Sequence, residues 1–227
     1  PDIVAFNYQL LAWSKIGTLE AAQHAEDLLS SLLQQEKEGD NFRPNTTSFS
    51  TVLKTYLQLA DRNAAESSED IVLKMEALRS QNPSIGDTSI YFNWVLKKWG
   101  ESRCSDHADR SLALLDKMVG LSNARLNEKA EANQLRIGFN IVMNNFSKVG
   151  GEKVASKVET IFRSMDKRNC GCHLEPDDFS YSICMATWAR SRESIAPRKV
   201  KDLLDEMISS FEDGNAKLRP NTHFFDL

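Results

Sequence analysis

The chain has 227 residues, 41% hydrophobic and 26% charged, a balance that suits one large globular domain or a repeat array. Its apolar runs are only a few residues long, which excludes a membrane-spanning helix, and a net charge of −4 excludes a uniformly basic nucleic-acid binder while leaving local basic stripes open. Four cysteines (Cys104, Cys170, Cys172, Cys184) are too few for a disulfide scaffold and point to a reducing compartment.

The first segment, "PDIVAFNYQLLAW", places Phe6, Leu10 and Trp13 at i, i+4 and i+7, one face of a helix over 3–16. A break at Gly17-Thr18 precedes a second amphipathic stretch that runs through "LLSSL" to Leu32. The next segment, "RPNTTSFSTVLKTY", has the propensity of an edge strand, with four Thr, two Ser, a Val and two aromatics. Yet Phe49, Leu53 and Tyr56 keep the i, i+4, i+7 spacing, and a strand would throw its i+7 residue to the opposite face. The spacing therefore predicts a helix over 46–60, followed after Asp61-Arg62-Asn63 by a second helix through Met75.

The pattern continues. Phe92, Leu96 and Trp99 mark a helix over 89–102, and "LLDKM" ends at Met118. Phe139, Met143 and Phe146 mark 136–149, and after Gly150-Gly151 the stretch "IFRSM" ends at Met165. "PDDFSYSICMATWARS" supplies Tyr181, Met185 and Trp188 over 178–192, and "LLDEM" ends at Met207. "RPNT" then returns at Arg219–Thr222, just before Phe225.

The anchors Phe6, Phe49, Phe92, Phe139, Tyr181 and Phe225 are separated by 43, 43, 47, 42 and 44 residues, and an apolar residue (Leu32, Met75, Met118, Met165, Met207) follows each of the first five by 26. That constant offset predicts two antiparallel helices per unit with a fixed hairpin. The units are about 1–43, 44–86, 87–133, 134–175 and 176–219, with a partial sixth at 220–227. Pro1, Pro44, Pro176 and Pro220 stand five residues before an anchor, each followed by Asp or Asn, so that a helix stop precedes a helix cap. "GDT" and "NQL" replace this punctuation in the third and fourth units. The tails "QQEKEGDN", "NARLNEKAEANQ" and "FEDGNAKL" read as charged connectors or extra helical turns. A helix pair of this kind cannot bury its apolar face alone, so the fold class is an all-α array of stacked helix–turn–helix repeats, a solenoid. The chain reads as one array and as a piece of a longer protein.

Aligned on their anchors, "PDIVAFNYQLLAW", "RPNTTSFSTVLKTY" and "PDDFSYSICMATWARS" resemble pentatricopeptide repeats, although units of 42 to 47 residues exceed the family's usual length of roughly 35. The resemblance implies a right-handed α-solenoid that binds single-stranded RNA, one base per repeat. It places base choice on the residue after each anchor and the last residue before the next unit. Those pairs are Asn7 with Asn45, Ser50 with Thr88, Asn93 with Leu135, Asn140 with Asp177, and Ser182 with Asn221. By the family's pattern the first pair favours a pyrimidine, C, the fourth U and the fifth A; the second and third match no common combination. The residues two before each anchor (Val4, Thr47, Ile90, Ile137, Phe179) would wedge against bases, and Lys15, Lys148 and Arg190, nine after theirs, would meet the RNA backbone. Gln58 and Glu101 interrupt that row. The resemblance also implies work on organellar RNA, in its processing, stability or translation, in a mitochondrion or plastid.

Charge distribution agrees with a groove. The five first helices carry eight Lys or Arg against two acids, net +6, which leaves −10 for the rest of the chain. The plainer readings are that Asp2, Asn45, Asp177 and Asn221 only cap helices and that the groove is a scaffold for a protein partner. Cys170-Gly171-Cys172-His173 lacks a second ligand pair at zinc-like spacing, and Cys184 falls on a core-facing position. No nucleophile–base set or phosphate-binding glycine loop is present, so an enzyme, a cofactor and a small-molecule substrate are not expected here. The resemblance puts any catalysis in an appended domain.

Overall fold

The computed structural model describes residues 2–35, 43–59, 62–102, 104–123, 129–150, 153–167, 174–215 and 218. Among them the chain is all-helical. In order, the helices are α1 (Ile3–Ser14), α2 (Leu19–Gln35), α3 (Thr46–Leu57), α4 (Arg62–Arg79), α5 (Ser89–Glu101), α6 (His107–Asn123), α7 (Lys129–Val149), α8 (Val154–Lys167), α9 (Asp178–Arg190) and α10 (Ala196–Glu212). No described helix is long and apolar enough to cross a membrane. The chain divides into two compact units, Pro1–His107 and Ala108–Leu227. The partial sixth repeat expected from 220 lies outside the described residues.

In the first unit α3 packs on α1, α2, α4 and α5. Eight of its twelve residues are buried, from Ser48 to Tyr56 with only Lys54 outside. The Thr- and Ser-rich segment is thus a helix, and two of its hydroxyls are satisfied by its own carbonyls. Thr55 Oγ1 donates to the Val52 carbonyl at 2.6 Å and Ser50 Oγ to the Thr47 carbonyl at 3.3 Å. Tertiary burial on every side overrides a modest intrinsic preference for strand. In the second unit α9 packs on α7, α8 and α10, and α8 on α7. Lys157 on α8 pairs with Asp109 on α6 at 2.6 Å.

The periodic residues form the core. Phe49, Phe92 and Phe139, with Leu10, Leu53, Leu96, Met143 and Met185 four residues after their anchors, are buried, as are Tyr56, Trp99, Phe146 and Trp188. Leu32, Met75, Met118, Met165 and Met207 are buried on the second helices. Phe6 and Trp13 are half-buried, and Trp13 stacks on His24 with ring centroids 4.7 Å apart.

One boundary differs from expectation. The helix expected over 136–149 begins at Lys129, because "KAEANQ" holds good helix formers and neither Pro nor Gly to stop them. Leu135 therefore lies inside α7, fully buried, and not at a unit boundary.

A second regularity was not visible from the aromatic spacing alone. Tyr56 donates to Glu26 Oε2 at 2.7 Å, and the indole N–H of Trp99 donates to Glu69 Oε2 at 3.0 Å. The indole N–H of Trp188 donates to Glu159 Oε2, also at 3.0 Å. Each glutamate stands 20 residues after an anchor, on the second helix preceding its aromatic. At that place before Phe146, which has no donor, the residue is Leu112. In these three units a carboxylate meets the hydrogen that the buried aromatic has to give, as burial of a polar handle demands.

Candidate nucleic-acid interface

The junctions that open α3 and α9 begin with a side-chain cap. Asn45 accepts the Ser48 amide at 3.1 Å, while the Asn45 amide donates to Ser48 Oγ at 3.2 Å, a reciprocal capping box. Ser48 Oγ in turn donates to Asn7 Oδ1 on α1 at 2.7 Å, and Asn7 Nδ2 donates to Asn45 Oδ1 at 3.4 Å. The second unit repeats this arrangement. Asp177 accepts the Ser180 amide at 2.9 Å, Ser180 Oγ donates to Asn140 Oδ1 at 2.7 Å, and Asn140 Nδ2 donates to Asp177 Oδ1 at 3.2 Å. Arg136 Nε lies 3.0 Å from Asp177 Oδ2.

Two of the pairs expected from the sequence, Asn7 with Asn45 and Asn140 with Asp177, are therefore within hydrogen-bond reach of each other. The cap and the pair are one network, and Asp2, Asn45 and Asp177 all cap their helices. Asn140 keeps one amide hydrogen and one carbonyl lone pair beyond these bonds, enough for a further partner at the helix edge.

The other pairs are placed differently. Thr88 is buried and its hydroxyl donates to the Glu76 carboxylate, so it is turned toward the preceding second helix, and Asp87 takes over the cap by accepting from the Ser89 amide at 3.0 Å. Ser50 is buried beneath its own turn. Leu135 has no exposed surface to offer, and its expected partner Asn93 is 5% exposed. Ser182 is half-buried, and Asn221 lies outside the described residues, as do Cys170, Cys172 and His173.

The positions two before each anchor are in water. Val4 is 54% exposed and Ile90 42% in the first unit; Ile137 is 38% and Phe179 58% in the second; Thr47 is exposed as well. Lys15, Lys148 and Arg190 are exposed at helix ends. Three other cations counted in the basic first helices have partners within the chain. Lys98 is 3% exposed and its ammonium donates to the Leu57 carbonyl at 3.0 Å and to that of Leu59, closing the end of α3, and Lys97 lies 4.0 Å from Glu101. Lys54 sits over the Trp94 ring at 5.7 Å. The basic surface is accordingly smaller than the sequence count implies.

No protein-family model, no curated protein and no solved structure matches the chain.

Burial and neighbouring carboxylates also shape the titration of the core. Burial first, then the charge of Glu159, pushes the Cys184 thiol up to about 12 from an ordinary 9.0. Burial and then Glu26 raise the Tyr56 hydroxyl, and burial and then Glu206 raise that of Tyr181. Each group holds its proton longer folded than unfolded. The stability it contributes is complete below the unfolded pKa, from 9.0 for the thiol and 10.0 for the phenols, and is lost as pH rises through the higher folded values. Denaturant unfolding at stepped pH is expected to show stability declining above pH 9, with a shallower decline in Cys184→Ala. An equal slope in that variant would remove the thiol from the account.

Proposed function

We propose that the chain is a sequence-selective single-stranded RNA-binding module, a right-handed α-solenoid of five pentatricopeptide-type repeats and the start of a sixth. Its role would be in the processing, stability or translation of organellar RNA. The observation that carries this reading is the exposed apolar residue two before the anchor, in Val4, Ile90, Ile137 and Phe179. A helical protein has no folding reason to leave a large apolar side chain in water at one repeat position, whereas a ligand with flat apolar faces gives one. Beside two of the five wedge positions, at Val4 and Ile137, stand the polar pairs Asn7–Asn45 and Asn140–Asp177. By the family's pattern these favour C and U, and Ser182 with Asn221 would favour A.

Binding of a pyrimidine-containing single strand is expected to weaken steadily with added salt. Asn140→Ser is expected to change preference at one base position by about 1–3 kcal/mol, read by competition among oligonucleotides that differ at that position. Equal binding of all sequences would discard the selective reading. Absence of RNA binding at low salt, with capture of an extended peptide, would favour a protein-interaction scaffold.

A further inference from the structure

At the hairpin end of the second unit lies a cavity of about 650 Å³, bounded by the end of α7, the first turn of α8 and the segment after α9. Lys153, Arg190 and Arg192 line it, with Glu193 the one carboxylate among the described lining residues, a balance of +2. Several other cations of this unit are matched: Arg163 by Glu206, Lys199 by Glu159, Lys157 by Asp109. Lys153, Arg190 and Arg192 have no side-chain partner among the described residues. The first turn of α8 contributes no acidic residue.

Lys153 and Arg192 share a second property. With φ of 67° and 58°, they are the two non-glycine residues among those described that hold a left-handed backbone, and both are cations of this cavity. Such a conformation is unfavourable for an L residue with a side chain and clusters at binding sites.

The hydroxyls that line the cavity have a fixed polarity. Ser147 Oγ donates to the Asn144 carbonyl at 2.8 Å and Thr187 Oγ1 to the Ile183 carbonyl at 2.7 Å, so toward the cavity both can only accept. A ligand that satisfies both the cations and the hydroxyls carries a dianionic group together with hydroxyl donors. The volume suits a nucleotide-sized molecule.

We propose that this cavity binds a ribose phosphomonoester, its phosphate against Lys153, Arg190 and Arg192 and its sugar hydroxyls toward Ser147 and Thr187. Three cations against one carboxylate among the described lining residues suit the two charges of a terminal phosphate better than the single charge of an internal phosphodiester. That chemistry has two sources, a free 5′-nucleotide or the phosphorylated 5′ end of an RNA strand. The site is distinct from base selection along the helices and stands without it.

Calorimetric titration of the intact chain with AMP, adenosine and inorganic phosphate tests the proposal. AMP is expected to bind one site, phosphate to compete with it, and adenosine not to bind. The variants Lys153→Gly and Arg192→Gly suit the left-handed backbone and spare Arg190, so they remove charge without straining the fold. Each is expected to keep its thermal midpoint and weaken AMP binding by about tenfold or more. If the source is an RNA end, a 5′-phosphorylated oligonucleotide binds tighter than its 5′-hydroxyl twin and AMP erases the difference. If it is a free nucleotide, AMP binds and the two oligonucleotides do not differ. Equal binding of AMP and adenosine, no binding of AMP at low salt, or unchanged AMP affinity in both variants would each overturn it. None of these results bears on base preference at Asn140.

Discussion

Trp99→Phe is expected to lower the stability of the first unit by about 2–4 kcal/mol, read as a shift in the denaturant midpoint. Trp99 is fully buried, so the smaller ring leaves a void and its neighbours close on it only partly. The substitution also removes the indole N–H that meets Glu69 at 3.0 Å, in a place where Glu69 is 8% exposed and dehydrated. A second substitution separates the two effects. The chain itself combines Leu112 with Phe146 at the corresponding positions, so Glu69→Leu in the Trp99→Phe background is expected to restore about 1–2 kcal/mol. A double variant no more stable than Trp99→Phe would show that the glutamate answers some requirement other than the aromatic's donor.

Replacing Ile137 and Phe179 together with serine is expected to weaken single-stranded RNA binding by about 2–4 kcal/mol. Both side chains are exposed in the free protein, at 38% and 58%, so neither contributes much to the folded core. The same double variant is therefore expected to unfold within about 0.5 kcal/mol of the original. Filter binding beside thermal unfolding reads the two quantities on one preparation. Unchanged affinity would remove these residues from the interface and with them the main support for base stacking; a large loss of stability would instead assign them a packing role. The comparison is informative because apolar residues in water ordinarily scatter, whereas these recur at one offset from the anchor.

The helices are legible from periodicity because their determinants are local. Phe49, Leu53 and Tyr56 are on one face whatever surrounds them, and the 26-residue interval to Met75 reports a hairpin of fixed length. Asn45 and Asp177 are readable as caps for the same reason, since a cap acts within three residues of itself. The start of α7 is not legible in this way, because "KAEANQ" is polar enough to be a connector and helical enough to extend a helix. Propagation from the packed turns around Phe139 decides between the two, since adding a turn to an existing helix is far easier than starting one.

By itself the sequence determined that this protein is helical and named most of the periodic apolar residues of its core. Both are set by spacing along the chain. Only tertiary structure decided what the polar residues do, because a hydroxyl, amide or ammonium is defined by the partner that the fold brings to it. Asn7 meets Asn45 across 38 residues, Lys98 turns inward to close α3, and Glu69 answers Trp99 across 30 residues. Lys153 and Arg192, far apart in sequence and held in left-handed turns, come to face one cavity.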